Sequence, residues 1–161
     1  MEKNKKSELL NKVIFNLNEI LYEINVPASG KFNYMLKKNK DIFKKILKKK
    51  PTFTIDHPDY QTFTKNTQEK IKEEKITFKS TEEINKYFEE EIAKYPEIAK
   101  IRAASVEDFK KAIQKWEMEA VEVELYKVSI SNFPDGLTSE QFEIFSDYFD
   151  IDREDEVEES E

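Results

Sequence analysis

A mainly α chain (α+β), with five to six amphipathic helices and a small antiparallel β element, is the fold that this sequence predicts. Three observations carry that expectation. Apolar residues recur at helical spacing over most of the 161 residues. N-cap residues and prolines punctuate those runs, and one stretch, Val121 to Val128, changes to an alternating period. Leu, Ile, Val and Phe make up more than a quarter of the chain, enough apolar content to fold rather than stay disordered. One core serves a chain of this length, so residues 1–150 read as a single mainly helical domain, followed by an acidic, flexible tail at 151–161.

The first helix falls at about 7–24. Leu10, Val13, Ile14, Leu17, Leu21 and Ile24 share one face, Ser7 stands as N-cap, and Pro27 ends the run by pushing its predecessor out of the α region. A second helix over 29–49 takes Ser29 as cap and turns Phe32, Met35, Leu36, Phe43, Ile46 and Leu47 inward. Pro51 to His57 alternates as a short strand or extended linker does, and Asp56 or His57 then caps a helix with Pro58 in its first turn. The inner face of that helix is thin: Tyr60, Phe63, Thr67 and Ile71. Lys75 to Lys79 reads as another short strand.

Ser80 with Glu83 is a capping-box pattern opening a helix that carries Ile84, Tyr87, Phe88, Ile92 and Tyr95, until Pro96 breaks it. Ser105 with Asp108 predicts a further helix start, with Phe109, Ala112, Ile113, Trp116 and Ala120 on one face; Trp116 is therefore read as core. Val121, Val123 and Leu125 form the apolar side of the best strand. A lone strand leaves its backbone groups unpaired, so this one needs residues 52–56, residues 75–79 or another molecule. Pro134-Asp135-Gly136 is a turn signature, and Thr138 with Gln141 opens a last helix bearing Phe142, Phe145 and Phe149.

Charge is segregated along the chain. Residues 1–50 hold 13 Lys and 5 acids, whereas residues 51–161 hold 14 Lys or Arg and 29 acids, within a net charge of −7. The absence of Cys excludes a disulfide scaffold, a Cys-ligated zinc and a thiol nucleophile. His57, the single His, cannot build a multi-His metal site. Runs such as Glu89-Glu90-Glu91 fall on polar helix faces and read as solvated, and Asp147 to Glu158 lacks the central Gly of a calcium-binding EF-hand loop. His57-Pro58-Asp59 spells the tripeptide of J-domain co-chaperones. In those proteins the basic helix runs straight into it, whereas Pro51 and an extended segment intervene here, so it reads as a loop and helix cap. No apolar run approaches the ~18 residues of a membrane span, and the polar start is followed by no signal-peptide core. The chain is thus read as non-enzymatic, with no catalytic residue, cofactor or metal and no membrane association.

Two surfaces remain as candidates. Val121, Val123, Leu125, Phe142, Phe145 and Phe149 either close the core or meet a partner, which includes a second copy pairing through the strand. Lys37, Lys38, Lys44, Lys45 and Lys48 form a basic patch within residues 31–50. It is either a solvated helix face neutralised by the acidic half or a nucleic-acid contact in which Phe32 or Tyr34 stacks on bases. Base readout relies heavily on Arg, and Arg102 is the one Arg within the predicted fold, so the nucleic-acid reading ranks second.

Both ends of the chain resemble a diffuse family of short, uncharacterised proteins encoded by tailed phages and by prophages of low-GC bacteria. The N-terminal part of the likeness is Val13 to Leu47, with its Val26-Pro27-Ala28 break and the basic helix containing Lys31-Phe32-Asn33-Tyr34 and Leu36-Lys37-Lys38-Asn39. The C-terminal part runs from Phe109 through Trp116-Glu117 and Val121-Glu122-Val123-Glu124-Leu125-Tyr126-Lys127-Val128 to Pro134-Asp135-Gly136-Leu137-Thr138. Residues 51–103 do not match. The resemblance supplies no site residues. It implies a phage or prophage origin and a small accessory or assembly protein acting through protein contacts, possibilities that include antagonism of a host factor or defence. Its place would be the bacterial host cytoplasm or the virion.

Overall fold

The computed structural model describes residues 6–153. They are mainly α-helical, with one two-stranded antiparallel sheet. The order is β1 (Lys6–Leu10), α1 (Asn11–Glu23), α2 (Gly30–Leu47), α3 (Pro58–Glu73), α4 (Thr81–Ala93), α5 (Pro96–Glu117), β2 (Ala120–Glu124), a 3₁₀ turn (Ile130–Asn132) and α6 (Ser139–Phe149). The chain divides into two compact units, residues 1–50 with 115–161 and residues 51–114.

In the first unit β2 finds its partner at the start of the chain. The two strands run antiparallel, with Ser7 opposite Val123 and Leu9 opposite Val121. This corrects three expectations: Ser7 caps no helix, α1 begins at Asn11, and β2 pairs with neither 52–56 nor 75–79. Neither of those segments is a strand. The physical reason is backbone satisfaction. Winding residues 6–10 into the helix would leave the N–H and C=O groups of β2 without a ladder. Asn11 fastens the junction: its N–H donates to the Glu119 carbonyl (2.9 Å) and its Nδ2 to that of Trp116 (2.8 Å). Glu8 and Glu122 lie opposite each other on the outward side, and Lys6 Nζ, 3.9 Å from Glu122, offsets that like-charge pair.

The inward side of the sheet joins Ile14, Leu17 and Leu21 of α1, Phe32, Met35, Leu36 and Phe43 of α2, and Phe145 and Phe149 of α6 in one core. Trp116 is also buried. Ser29 caps α2 by accepting from the Phe32 N–H, and Thr138 with Gln141 forms a complete capping box on α6. Gly136 lies against Val26: a Cβ there would come within 2.9 Å of a Val26 methyl, so the turn has no room for a side chain. Just beyond β2 a helix side chain serves the backbone as a neighbouring strand would. The Asn39 amide donates to the Tyr126 carbonyl and accepts from the Tyr126 N–H, both at 2.9 Å. Beyond α6, the Ile151 N–H donates to the Val128 carbonyl at 3.1 Å. Residues 154–161, the greater part of the predicted tail, lie outside the described residues.

The second unit has a smaller core of Phe63, Ile92 and Ile98, edged by Tyr60, Ala99 and Ile101. His57 caps α3, its Nδ1 accepting from the Asp59 N–H at 3.2 Å. Ser80 caps α4 as the sequence indicates. The predicted helix start at Ser105 is absent, because α5 runs unbroken from Pro96 and the Ser105 hydroxyl donates one turn back to the Ile101 carbonyl (3.0 Å). The expected strand at 75–79 is instead the closure of α3. Lys75 adopts φ 52°, and the N–H groups of Ile76 and Lys75 return to the carbonyls of Ile71 and Lys72. That is the Schellman pattern with Lys where Gly is usual. Lys75→Gly should therefore stabilise this unit by about 0.5–1 kcal/mol, the gain from removing a strained Cβ less the added freedom of the unfolded chain. Urea unfolding with an unchanged or lowered midpoint would contradict this.

Candidate functional site

Most of the apolar residues offered as an interface are occupied within the first unit. Val123, Leu125, Phe145 and Phe149 are buried, and Val121 packs half-buried against them. The correction has a simple cause: the strand and the last helix present one apolar face each, and both faces are used by α1, α2 and β1. Phe142 alone of the six stays exposed, at 42%. Its ring meets Phe133 edge-on at 5.8 Å, and Ile130, also exposed, belongs to the 3₁₀ turn preceding Phe133.

The basic patch is intact as a surface. Helical spacing sends Phe32, Met35, Leu36, Asn39 and Phe43 inward and leaves Lys37, Lys38, Lys44, Lys45 and Lys48 on the opposite side, with Asp41 the single acid of α2. Among the described residues of the first unit none of the lysines between 31 and 50 forms an ion pair with a carboxylate of that unit; the pair present there on β1 and β2 involves Lys6. Some of these ammonium groups face aromatic rings instead: Lys38 lies 5.3 Å from the Tyr34 centroid, Lys40 4.6 Å from Tyr22 and Lys50 4.3 Å from Phe15. Phe32 is wholly buried and offers nothing to a base, whereas Tyr34 is 54% exposed. At the first turn of α2 this face opens on a groove of about 400 Å³, between Gly30, Lys31 and Tyr34 on one side and Lys127, Val128, Ser129, Asn132 and Ile151 on the other.

A second constellation lies in the 51–114 unit, and sequence reasoning missed it. Glu91, read as one of a run of solvated acids, has a side chain only 8% exposed. Its carboxylate meets Lys94 Nζ at 2.7 Å and Lys70 Nζ at 3.3 Å. The Lys94 hydrogen bond, then that from Lys70, holds the carboxyl below the usual Glu range against the opposing effect of burial, and Glu91 in turn raises Lys70. Lys70 and Glu91 edge a cleft of about 320 Å³ whose other walls include Asp59, Asn66 and Tyr95. Chemically it is a fixed anion between two cations, joining α3 to α4, and not a proton donor near neutrality. Only the i, i+3 spacing of Glu91 and Lys94 was visible in the sequence; the Lys70 partner lies 21 residues away.

The sign of the pH dependence follows. A lowered Glu pKa stabilises the fold fully above the unfolded value, about 4.3, and that contribution is lost as pH falls through the folded value. Wild type should thus exceed Glu91→Gln in thermal stability at pH 7, with the gap closing under acid. An unchanged gap at pH 3 would show that the triad contributes through packing alone.

No family model, curated protein or solved structure matches the chain. Among the described residues no helix is long and apolar enough to cross a membrane.

Proposed function

We propose that this chain is a non-enzymatic accessory protein, of phage or prophage origin, that acts by docking its basic α2 face on an anionic protein partner. The observation that carries this reading is that face itself: Lys37, Lys38, Lys44, Lys45 and Lys48, among nine lysines between residues 31 and 50, with no ion pair to a described carboxylate of their own unit. Unpaired like charges on one helix repel one another, and an acidic partner relieves that repulsion and is steered toward it. Assembly of a virion component and antagonism of a host factor both fit this mode.

A nucleic acid is the rival partner, favoured by the exposed Tyr22 and Tyr34 beside lysines. Three features place it second. Lys38 and Lys40 already sit over those rings, Asp41 interrupts the face, and α2 carries no Arg to read base edges. Fluorescence anisotropy near physiological salt should detect no micromolar binding of single- or double-stranded DNA or RNA. Tight, steeply salt-dependent binding abolished by Lys44→Ala, Lys45→Ala and Lys48→Ala together would reverse the order. Quantitative pull-down from infected cells tests the protein reading: partners held by wild type should be lost when the same three lysines are changed to Glu and the fold is retained by circular dichroism.

A further inference from the structure

We propose that the groove at the first turn of α2 takes an apolar side chain from an acidic peptide segment of a protein partner, the lysines beyond it holding the flanking carboxylates. This rests on the reading that α2 docks a protein, and it names where and by what chemistry.

The groove has a mostly apolar lining and a basic approach along α2. Val128 and Ile151 line it, and the Tyr34 ring, half exposed, forms part of its wall. Tyr34 is held in place by its edge-on contact with Tyr126 at 6.2 Å. The Ser129 hydroxyl at the margin is already committed to Asp152 at 2.7 Å. At about 400 Å³ the space accepts one Leu- or Phe-sized side chain. Lys31 stands at its rim and Lys38 beside Tyr34, and the charged face continues along α2 through Lys45 to Lys48.

Charge complementarity selects an acidic occupant, and the spacing of charges selects a peptide. Asp41 lies on the path along α2, and Asp152 adjoins the groove. A nucleic-acid strand carries a phosphate at every nucleotide and must set some of them against these acids. A peptide places carboxylates only where its sequence puts them and passes an Asp with a neutral residue. Lys38 already lies over the Tyr34 ring, a competitor for base stacking, whereas an aliphatic side chain needs only the apolar wall.

The test uses the full chain and three fluorescein-labelled probes near physiological salt: a ten-residue peptide with six Glu around a central Leu, the same peptide with Ser for Leu, and a ten-nucleotide oligothymidylate. The Leu peptide should bind roughly tenfold or more tighter than the Ser peptide, the factor expected for burying one aliphatic side chain. Tyr34→Ala should reduce that ratio to about one. Changing Lys44, Lys45 and Lys48 to Glu should weaken both peptides while preserving the ratio. Equal affinities for the two peptides, no peptide binding, or tighter binding of the oligonucleotide would each overturn the proposal. So would Leu-peptide binding that emerges only in a chain with Glu154→Gln, Asp155→Asn, Glu156→Gln, Glu158→Gln, Glu159→Gln and Glu161→Gln, because the chain's own acidic segment would then be the occupant. A partner captured through α2 but indifferent to Tyr34→Ala sinks the groove assignment and leaves the docking function standing.

Discussion

Phe145→Ala should cost the first unit about 3–5 kcal/mol and lower its melting temperature by more than about 6 °C, whereas Phe142→Ala should change stability by no more than about 0.5 kcal/mol. The two residues lie three apart on α6 and differ in everything that determines the outcome. Phe145 is fully buried, with the rings of Phe32, Phe149 and Phe133 at 5.3, 5.2 and 6.1 Å. Removing it empties a volume enclosed by rigid rings, from α2 as well as α6, that cannot all collapse inward. Phe142 has one ring neighbour, Phe133, among the described residues, with much of its surface in water. Thermal unfolding of the two variants in parallel checks the pair, and equal losses would mean that α6 does not seat on the core as described.

Asn39→Ala should cost about 2–4 kcal/mol, a large loss for a side chain so small. Asn39 is fully buried, and its amide serves both backbone groups of Tyr126. Alanine leaves the N–H and the C=O of Tyr126 without the partners that a neighbouring strand would supply, in a place where water has little access. Aspartate is no remedy, since an ionised carboxylate accepts from the N–H but sets a negative oxygen against the carbonyl. Urea unfolding reports the loss. Hydrogen exchange localises it, for the Tyr126 amide should lose its protection more than the amides of β2. If that amide stays as protected as in wild type, the segment is held by something other than Asn39.

These residues also show what was legible beforehand and what was not. The caps Ser29, His57, Ser80 and Thr138 could be read because a cap is a local event, decided by residues two or three positions away. The core face of α2 could be read for the same reason. β1 could not: Leu10 is in register with the helical run that follows, and only the unmet hydrogen bonds of a strand more than a hundred residues later select the extended form. Asn39 lay hidden among lysines as a polar residue on a helix, and nothing near it in sequence names Tyr126. The apolar alternation of Val121, Val123 and Leu125 and the aromatic face of α6 were legible, but pattern alone does not tell a core face from a docking face. The Lys70–Glu91–Lys94 triad joins two helices, one of them with a thin apolar face, and no periodicity announces such a pairing.

The pairing of β1 with β2 has a consequence for synthesis. The ribosome delivers β1, α1 and α2 first, yet the strand and helix that cover their apolar faces follow only after about 70 further residues. At 5–20 residues per second this early segment waits roughly 4–14 s before β2 appears, and somewhat longer for α6. During that interval Ile14, Leu17, Phe32 and Phe43 lack their later partners, and β1 is an unpaired edge. The nascent chain, rather than the finished fold, is where this protein is most exposed to aggregation or to a chaperone. The dense lysines of α2 emerge in that same interval, and their mutual repulsion helps keep neighbouring nascent chains apart.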